Sequence, residues 1–267
     1  MSRTTKIAEG SFAVVYDIGA SQVLKRFKDR TSADAVRYEA MMSSHACDAG
    51  IPTPAIRAAD PEGGTLTFDK IDGPTLVNVV KDKPWTVFWA AREMARLFAR
   101  IHRVDANAFG AKSLQDQIAA QIQSNDEIPS RVQGGLLAAL TAMASMPRLC
   151  HFDFHPENVM VDDKGIQVID WGAAKQGHPM LDITQTVVMN RVDRILQDPG
   201  NPPVIVVMLL RKLYIEAFLC FYARFSEDFT YRQVRRDVAR LTKPIAAARL
   251  ASAKPYETVK LKRILGR

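Results

Sequence analysis

Apolar and polar positions change their period along the chain, and each change marks a change of element. From Lys6 to Phe27 the residues are largely β-branched and aromatic, with turn residues at Gly10-Ser11 and Gly19-Ala20, the pattern of short antiparallel strands. In the stretch SQVLKRF, Val23, Lys25 and Phe27 share one face while Leu24 and Arg26 share the other. Ser32 suits a helix N-cap with Asp34 in the first turn; Val36, Tyr38, Met41 and Met42 carry a helix that stops at Gly50. IPTPAI is extended, its prolines favouring an edge or a strand start. Glu62-Gly63-Gly64 turns the chain, and TLTFDKI makes a further strand ending at Asp72-Gly73-Pro74. Three- and four-residue spacing then takes over, as in PWTVFWAAREMARLFARIHRV. The pattern predicts an α+β chain: a small β-rich lobe with one helix over 1–72, a connector at about 67–74, and a larger, mostly α-helical lobe over 73–267.

A length of 267 residues allows one large core or two unequal ones. Cys47, Cys150 and Cys220 are few, odd in number and far apart, which argues against a disulfide framework and for a reducing, cytoplasmic setting. The first ten residues lack the apolar run of a signal peptide. The most apolar segment, PPVIVVMLLRKLYIEAFLCFY, is broken by Arg211, Lys212 and Glu216 and reads as a buried helix rather than a membrane span. The net charge of +7 is uneven, with twelve Lys/Arg against four Asp/Glu from Phe221 to Arg267 and a nearly neutral remainder. A solvated helix face and a basic tail account for that excess. Contact with nucleic acid or an anionic surface through KLKRILGR, or attraction of an anionic substrate, are the alternatives.

The segment CHFDFHPENVMVDDKGIQVIDWG carries more charge than its apolar framework needs. His151, Asp153 and His155 alternate like a metal-ligand array, but Pro156 and Asn158 suit a tight loop better than a ligand strand. A purely structural turn would leave Asp153, Asn158 and Asp170 all incidental. Downstream, Val159 to Val161 and Ile166 to Ile169 read as two strands joined by Asp-Asp-Lys-Gly, which sets Asn158 and Asp170 side by side. Two such oxygen ligands suit Mg2+ shared with substrate phosphates, and Asp153 lies where it can orient a hydroxyl and accept its proton.

His151-x-Asp153-x-x-Pro156-x-Asn158 followed by Ile169-Asp170-Trp171-Gly172 resembles the catalytic and metal-binding motifs of the protein kinase-like fold. The likeness is to its aminoglycoside phosphotransferase and choline kinase branch, and runs from about Ile7 to Ile183. It implies a bilobal fold, ATP and Mg2+ as cofactors, and a small-molecule hydroxyl as acceptor. By the same resemblance Asp153 is the catalytic base, Asn158 and Asp170 bind the metal, and Lys25 paired with Glu39 grips the phosphates. Gly10 and Ser11 fall in the phosphate-covering loop, where Ala8 and Ala13 replace glycines of the protein-kinase motif. Phe68, Asp69, Lys70 and Ile71 fall in the connector whose backbone would meet a purine edge. Asp182 would brace the catalytic loop through backbone hydrogen bonds, and His102 reads as a packing residue.

The expected activity is transfer of the ATP γ-phosphate to a hydroxyl of a sugar, an amino-alcohol or a related metabolite. Arg232, Arg235, Arg236 and Arg240, set against the apolar positions Tyr231, Val234, Val238 and Leu241, make a polycationic aminoglycoside a poorer candidate. A protein kinase is disfavoured because only nine residues separate Gly172 from Asp182. A nucleotide-binding regulatory module is the remaining alternative, supported by the missing glycines and opposed by the intact Lys25, Asp153, Asn158 and Asp170.

Overall fold

The computed structural model describes residues 4–29, 31–107, 110–193 and 203–266. In chain order the first elements are β1 (Thr5–Glu9), β2 (Ala13–Gly19), β3 (Gln22–Phe27), α1 (Ala33–Asp48), β4 (Ile56–Asp60), β5 (Thr65–Asp69) and α2 (Leu76–Asp82). They are followed by α3 (Val87–Ile101), α4 (Leu114–Gln123), α5 (Ser130–Thr141), β6 (Arg148–Cys150), β7 (Val159–Asp162), β8 (Gly165–Val168) and β9 (Lys175–Gly177). Four helices come last: α6 (Pro179–Val192), α7 (Val204–Phe225), α8 (Tyr231–Leu250) and α9 (Pro255–Leu265). The chain divides into two units, residues 1–82 with 156–174 and residues 83–155 with 175–267. This partition differs from a linear one at residue 72, because the β7–β8 hairpin packs with the N-terminal elements.

The first unit is an antiparallel sheet in the order β1-β2-β3-β5-β4. Its strands break where the turn residues lie, and β2 pairs β3 so that Val15 faces Lys25. Ser32 caps α1 by accepting from the Ala35 N–H, and Gly50 follows the helix in the left-handed region at φ +76°. The extended IPTP segment serves a purpose beyond a strand start. The Pro52 carbonyl accepts from Val168 N–H (2.8 Å) and the Thr53 hydroxyl donates to the Val168 carbonyl (2.7 Å), tying the hairpin to the chain after α1. On the hairpin's other strand, Val161 N–H donates to the Pro74 carbonyl. Gly73 makes that approach possible, since a Cβ there would lie 1.8 Å from the Val161 carbonyl oxygen.

The second unit is built on α6, buried along almost its whole length from Pro179 to Val188. Its first turn is pre-organised by Pro179, and the His178 ring caps it by accepting from the Met180 N–H at 3.1 Å. Phe98 of α3 stacks on Phe154 at 4.2 Å and packs against Phe218 of α7, which gives this unit its aromatic core. The segment expected as a buried helix is α7, but only its second half is buried, through Tyr214, Ile215, Phe218, Leu219 and Tyr222. Ile205, Met208 and Leu209 in its first half stand exposed, because an all-apolar sequence does not mark which turns find a partner. Among the described residues no helix is long and apolar enough to cross a membrane. The basic C-terminal segment is partly spent within the unit: Arg235 pairs with Glu216, Arg236 with Asp237, and Lys262 with Glu127. Lys260 donates to the Val192 and Asp193 carbonyls at the end of α6.

Candidate active site

Three distant segments of the first unit meet at Lys25. Its register on β3 places the side chain near the Phe27 ring, 5.1 Å from the centroid, as the alternation of the strand requires. The ammonium reaches Glu39 of α1 at 2.6 Å and Asp170, after β8, at 3.1 Å. Lys25 and Glu39 are largely buried, with side chains 15% and 5% exposed, while Asp170 is 45% exposed. Burial pulls the Lys25 pKa down, but the carboxylates of Asp170 and Glu39 outweigh it and leave the pKa raised, so the cation is held charged.

The β7–β8 ladder pairs Val159 with Val168, and Ile169 N–H donates to the Asn158 carbonyl at 3.0 Å. Asn158 therefore opens the hairpin beside the strand that leads to Asp170. Asp170 holds a left-handed backbone at φ 68°, which turns its side chain toward Lys25. Gly172 lies so close that a Cβ there would come 2.9 Å from Glu39 Oε2, so the glycine of Ile-Asp-Trp-Gly keeps room for the partner of Lys25. Trp171 is fully buried and donates from its indole to Thr53. The amide oxygen of Asn158 and the carboxylate of Asp170 are hard donors at one end of one hairpin, a set that fits Mg2+.

The other nucleotide-side residues are less committed. Gly10 begins the turn between β1 and β2, with its N–H on the Ala13 carbonyl, and Ser11 follows it. Gly10 does not need to be glycine for space, because its nearest atom beyond a hypothetical Cβ is 3.8 Å away. Lys28 does more for this turn than its glycine: the ammonium donates to the Gly10 carbonyl and pairs with Glu9, both at 2.9 Å. In the connector, Asp69 N–H is taken by the Ala55 carbonyl and Lys70 N–H by the Ser21 carbonyl. Asp69 also forms a two-pronged pair with Arg57, and Lys70 pairs with Asp17 and Asp72. Phe68 pairs with Val23 across the sheet, and Ile71 follows beyond the strand.

Asp153 belongs to the second unit, in a loop held from below by one carboxylate. Asp182, fully buried on α6, accepts from His151 N–H at 2.6 Å and Phe152 N–H at 2.8 Å. His102 Nε2–H donates to the same carboxylate at 3.2 Å, while its Nδ1 accepts from the Tyr222 hydroxyl at 2.9 Å. The loop is strained as well as tethered. Phe152 sits at φ 61°, a left-handed conformation that costs a bulky residue roughly 1–2 kcal/mol. Thr186 adds a further tie by donating to the Phe154 carbonyl. His151 is buried and its Nδ1 accepts from Asp153 N–H, and His155 Nε2 stands 3.7 Å from the Asp153 carboxylate. Burial works to raise the Asp153 pKa, but His155, then His151 and Arg249, outweigh it and leave it below the ordinary carboxylate value.

Among the described residues His151, Asp153 and His155 do not form a ligand group; the only one is His102, Cys150 and Asp182, all buried. Their polar atoms are already engaged, Cys150 by donating to the Gly177 carbonyl, so the trio is a hydrogen-bonded support. Thr53, Lys28 and Tyr222 escape a reading of the sequence, since their partners lie far away in the chain or are backbone atoms. Only Lys28 leaves a trace, as a cation three residues past Lys25, just beyond the end of β3.

This arrangement, an antiparallel sheet carrying a Lys–Glu pair and a helical unit carrying the aspartate loop, defines the protein kinase-like fold. Residues 4–204 match the model of the phosphotransferase enzyme family APH, and the chain belongs to that family. No curated protein matches it. Among solved structures, it is similar to a choline/ethanolamine kinase family protein from Mesorhizobium loti, at 16% identity and a TM-score of 0.71, covering 99% of this chain and 88% of that one. The streptomycin–ATP–APH(2″)-IIa ternary complex aligns with a TM-score of 0.67 and 13% identity over 99% and 91% of the two chains. Choline kinase LicA from Streptococcus pneumoniae gives 0.64 and 15% over 99% and 92%. At these identities the solved structures share the fold, and the family match adds a phosphotransferase lineage.

Proposed function

We propose that the protein transfers the γ-phosphate of ATP to a hydroxyl of a small molecule. The observation that carries this reading is the ion network of Lys25, Glu39 and Asp170, assembled from segments 14 and 145 residues apart, with its Lys25–Glu39 pair largely buried. A buried charged cluster is costly to maintain for stability alone, and an ammonium held charged beside a metal-binding carboxylate suits the α- and β-phosphates of a nucleotide.

In this reading Lys25, positioned by Glu39, neutralises charge that develops on the phosphates. Asn158 and Asp170 supply the oxygen ligands for Mg2+, which when bound screens the phosphate charge. Gly10 and Ser11 cover the phosphates. Carbonyls of Phe68 to Ile71 take the purine edge, a role compatible with the engagement of the Asp69 and Lys70 N–H groups. Asp153 accepts a hydrogen bond from the acceptor hydroxyl. As the new O–P bond forms and the bond from the γ-phosphorus to the bridging oxygen breaks, the hydroxyl proton passes to Asp153 and ADP leaves with the electron pair. The lowered pKa of Asp153 makes it a weak base that is fully ionised at neutral pH, which suits an orienting group in a loose, largely dissociative transfer.

The test is ADP release from ATP and Mg2+ against a panel of sugars, amino-alcohols and aminoglycosides, in the unmodified protein and in Asp153→Ala. Acceptor-dependent turnover that vanishes in the variant, with ATP binding kept, supports the proposal. Mg2+-dependent ATP binding with no turnover on any acceptor would instead favour a regulatory nucleotide-binding module, the reading that the replacement of loop glycines by Ala8 and Ala13 suggests.

A further inference from the structure

Helix α3 buries one face, through Val87, Ala91, Met94, Phe98 and Ile101, and leaves the other to solvent. The solvent face of such a helix is ordinarily charged and polar throughout. Here it opens with aromatic rings instead. Trp85, in the turn that leads into the helix, is 75% exposed, the highest value of any large apolar side chain among the described residues. Phe88 and Trp89, three and four residues on, are 51% and 40% exposed. That spacing groups the rings on one side of the helix, so they form a patch rather than scattered single residues.

The same face continues in cations. Arg92 and Arg96 extend the three- to four-residue spacing, with side chains 43% and 45% exposed. Both guanidiniums lie over the Phe225 ring at the end of α7, 5.8 and 5.3 Å from its centroid, which holds them at this surface. From Lys83 to Val104 the chain has five Lys/Arg and a single carboxylate, Glu93. Glu93 is 13% exposed and is engaged by Arg92 and Arg96 at once, so the cations dominate what a partner meets. Lys83, also exposed, adds a cation on the aromatic side.

Charge and layout decide among partners for such a face. A second copy of the chain would set arginines against arginines across a two-fold axis. A single-stranded nucleic acid would want aromatics and cations interleaved along a groove, whereas these occupy successive halves of one helix face. A lipid surface takes this order directly. Tryptophan and its neighbours settle at the headgroup level, and arginines beside them meet the phosphates. We propose that this face of α3 docks the protein on an anionic lipid bilayer, with Trp85, Phe88 and Trp89 in the headgroup region and Arg92 and Arg96 on lipid phosphates. The attachment lies on the bilayer and does not cross it. It is independent of the phosphotransferase reading.

The full chain is sedimented with vesicles of phosphatidylcholine alone and of phosphatidylcholine mixed with phosphatidylglycerol. Binding to the anionic vesicles is expected to be tighter by about tenfold or more, and to weaken as salt is added. Two of the three tryptophans, Trp85 and Trp89, lie in the patch, and Trp171 is buried. Brominated lipid should therefore quench the emission of the bound protein, and in Trp85→Ala/Trp89→Ala only the unquenched Trp171 should remain. Trp85→Ala/Phe88→Ala removes two exposed rings and spares the core. It should weaken binding to anionic vesicles by about tenfold or more with an unchanged thermal midpoint. Arg92→Gln/Glu93→Gln/Arg96→Gln removes the guanidiniums with the carboxylate they share, and should shrink the preference for anionic over neutral vesicles.

Equal binding to both vesicle types overturns the proposal. Anionic binding that shows no quenching and survives Trp85→Ala/Phe88→Ala also overturns it, and assigns the attachment to another surface such as the basic C-terminal segment. Absence of vesicle binding does the same, whether the face then pairs two copies in sedimentation velocity or retains a single-stranded oligonucleotide.

Discussion

The Lys25 cluster and the Asp153 loop solve the same problem, fixing a charged side chain, by opposite means. Lys25, Glu39 and Asp170 hold one another, side chain to side chain, with strand, helix and hairpin each contributing one member. Asp153 is held through its neighbours' backbone, because Asp182 binds the N–H groups of His151 and Phe152 rather than the Asp153 side chain. Charges that are each other's partners can be re-partnered by a ligand, whereas a backbone tether keeps its geometry whatever binds. The first arrangement suits a group that must yield to phosphates, and the second suits one that must point at a hydroxyl.

The largest effect expected from breaking this contrast is at Asp153 itself. Asp153→Ala should lower kcat by about 10²–10⁴-fold while ATP binding and thermal stability stay near those of the unmodified protein, measured by steady-state turnover and calorimetry. Next comes the tether. Asp182→Ala leaves the N–H groups of His151 and Phe152, and the His102 ring, without their acceptor, and should cost roughly 3–5 kcal/mol in chemical denaturation, as breaking a buried charged network does. A result below about 1 kcal/mol would mean that the loop keeps its shape without the carboxylate.

A third prediction uses pH. Burial holds the His178 pKa down at about 4, so its ring caps α6 as the neutral form. Its folded pKa lies below the ordinary value, so its contribution is complete above about pH 6.5 and is lost as pH falls toward 4. The loss should reach up to about 3 kcal/mol and be absent in His178→Asn, which caps without titrating. Lys25 behaves in the reverse sense. Its pKa is raised, so its contribution is present below the ordinary lysine value and lost only as pH rises through and beyond it. Acid should therefore loosen the helix that carries Asp182 while sparing the Lys25 ammonium, a difference that hydrogen exchange at pH 5 would resolve. The smallest effect belongs to Gly172→Ala, which pushes on the Glu39 carboxylate and should cost about 1–2 kcal/mol with a raised KM for ATP.

Much of this was legible before any coordinates, and for physical reasons that can be named. The Ser32 cap, the turns at Gly10 and Gly19 and the β7–β8 hairpin rest on local rules, and local chemistry is written in consecutive residues. The protein kinase-like fold and the family followed from motifs whose spacing the hairpin enforces. What sequence did not carry is long-range or backbone-borne. Thr53 bridges the indole of Trp171 and the Val168 carbonyl, more than a hundred residues away, and nothing in IPTP announces it. The exposed first half of α7 is invisible to a pattern that is apolar on every side. The taken N–H groups of Asp69 and Lys70, and the unpartnered Nε of Arg249, depend on what stands opposite each donor.

The left-handed backbone at Asp170 bears on how that position is best probed. Alanine there deletes the carboxylate and also installs a side chain that tolerates such a φ poorly, so two injuries arrive in one variant. Asparagine visits this region of φ and ψ readily and preserves the shape of the group, so only the charge is removed. Comparing the two substitutions separates what the negative charge contributes from what the turn of the chain contributes.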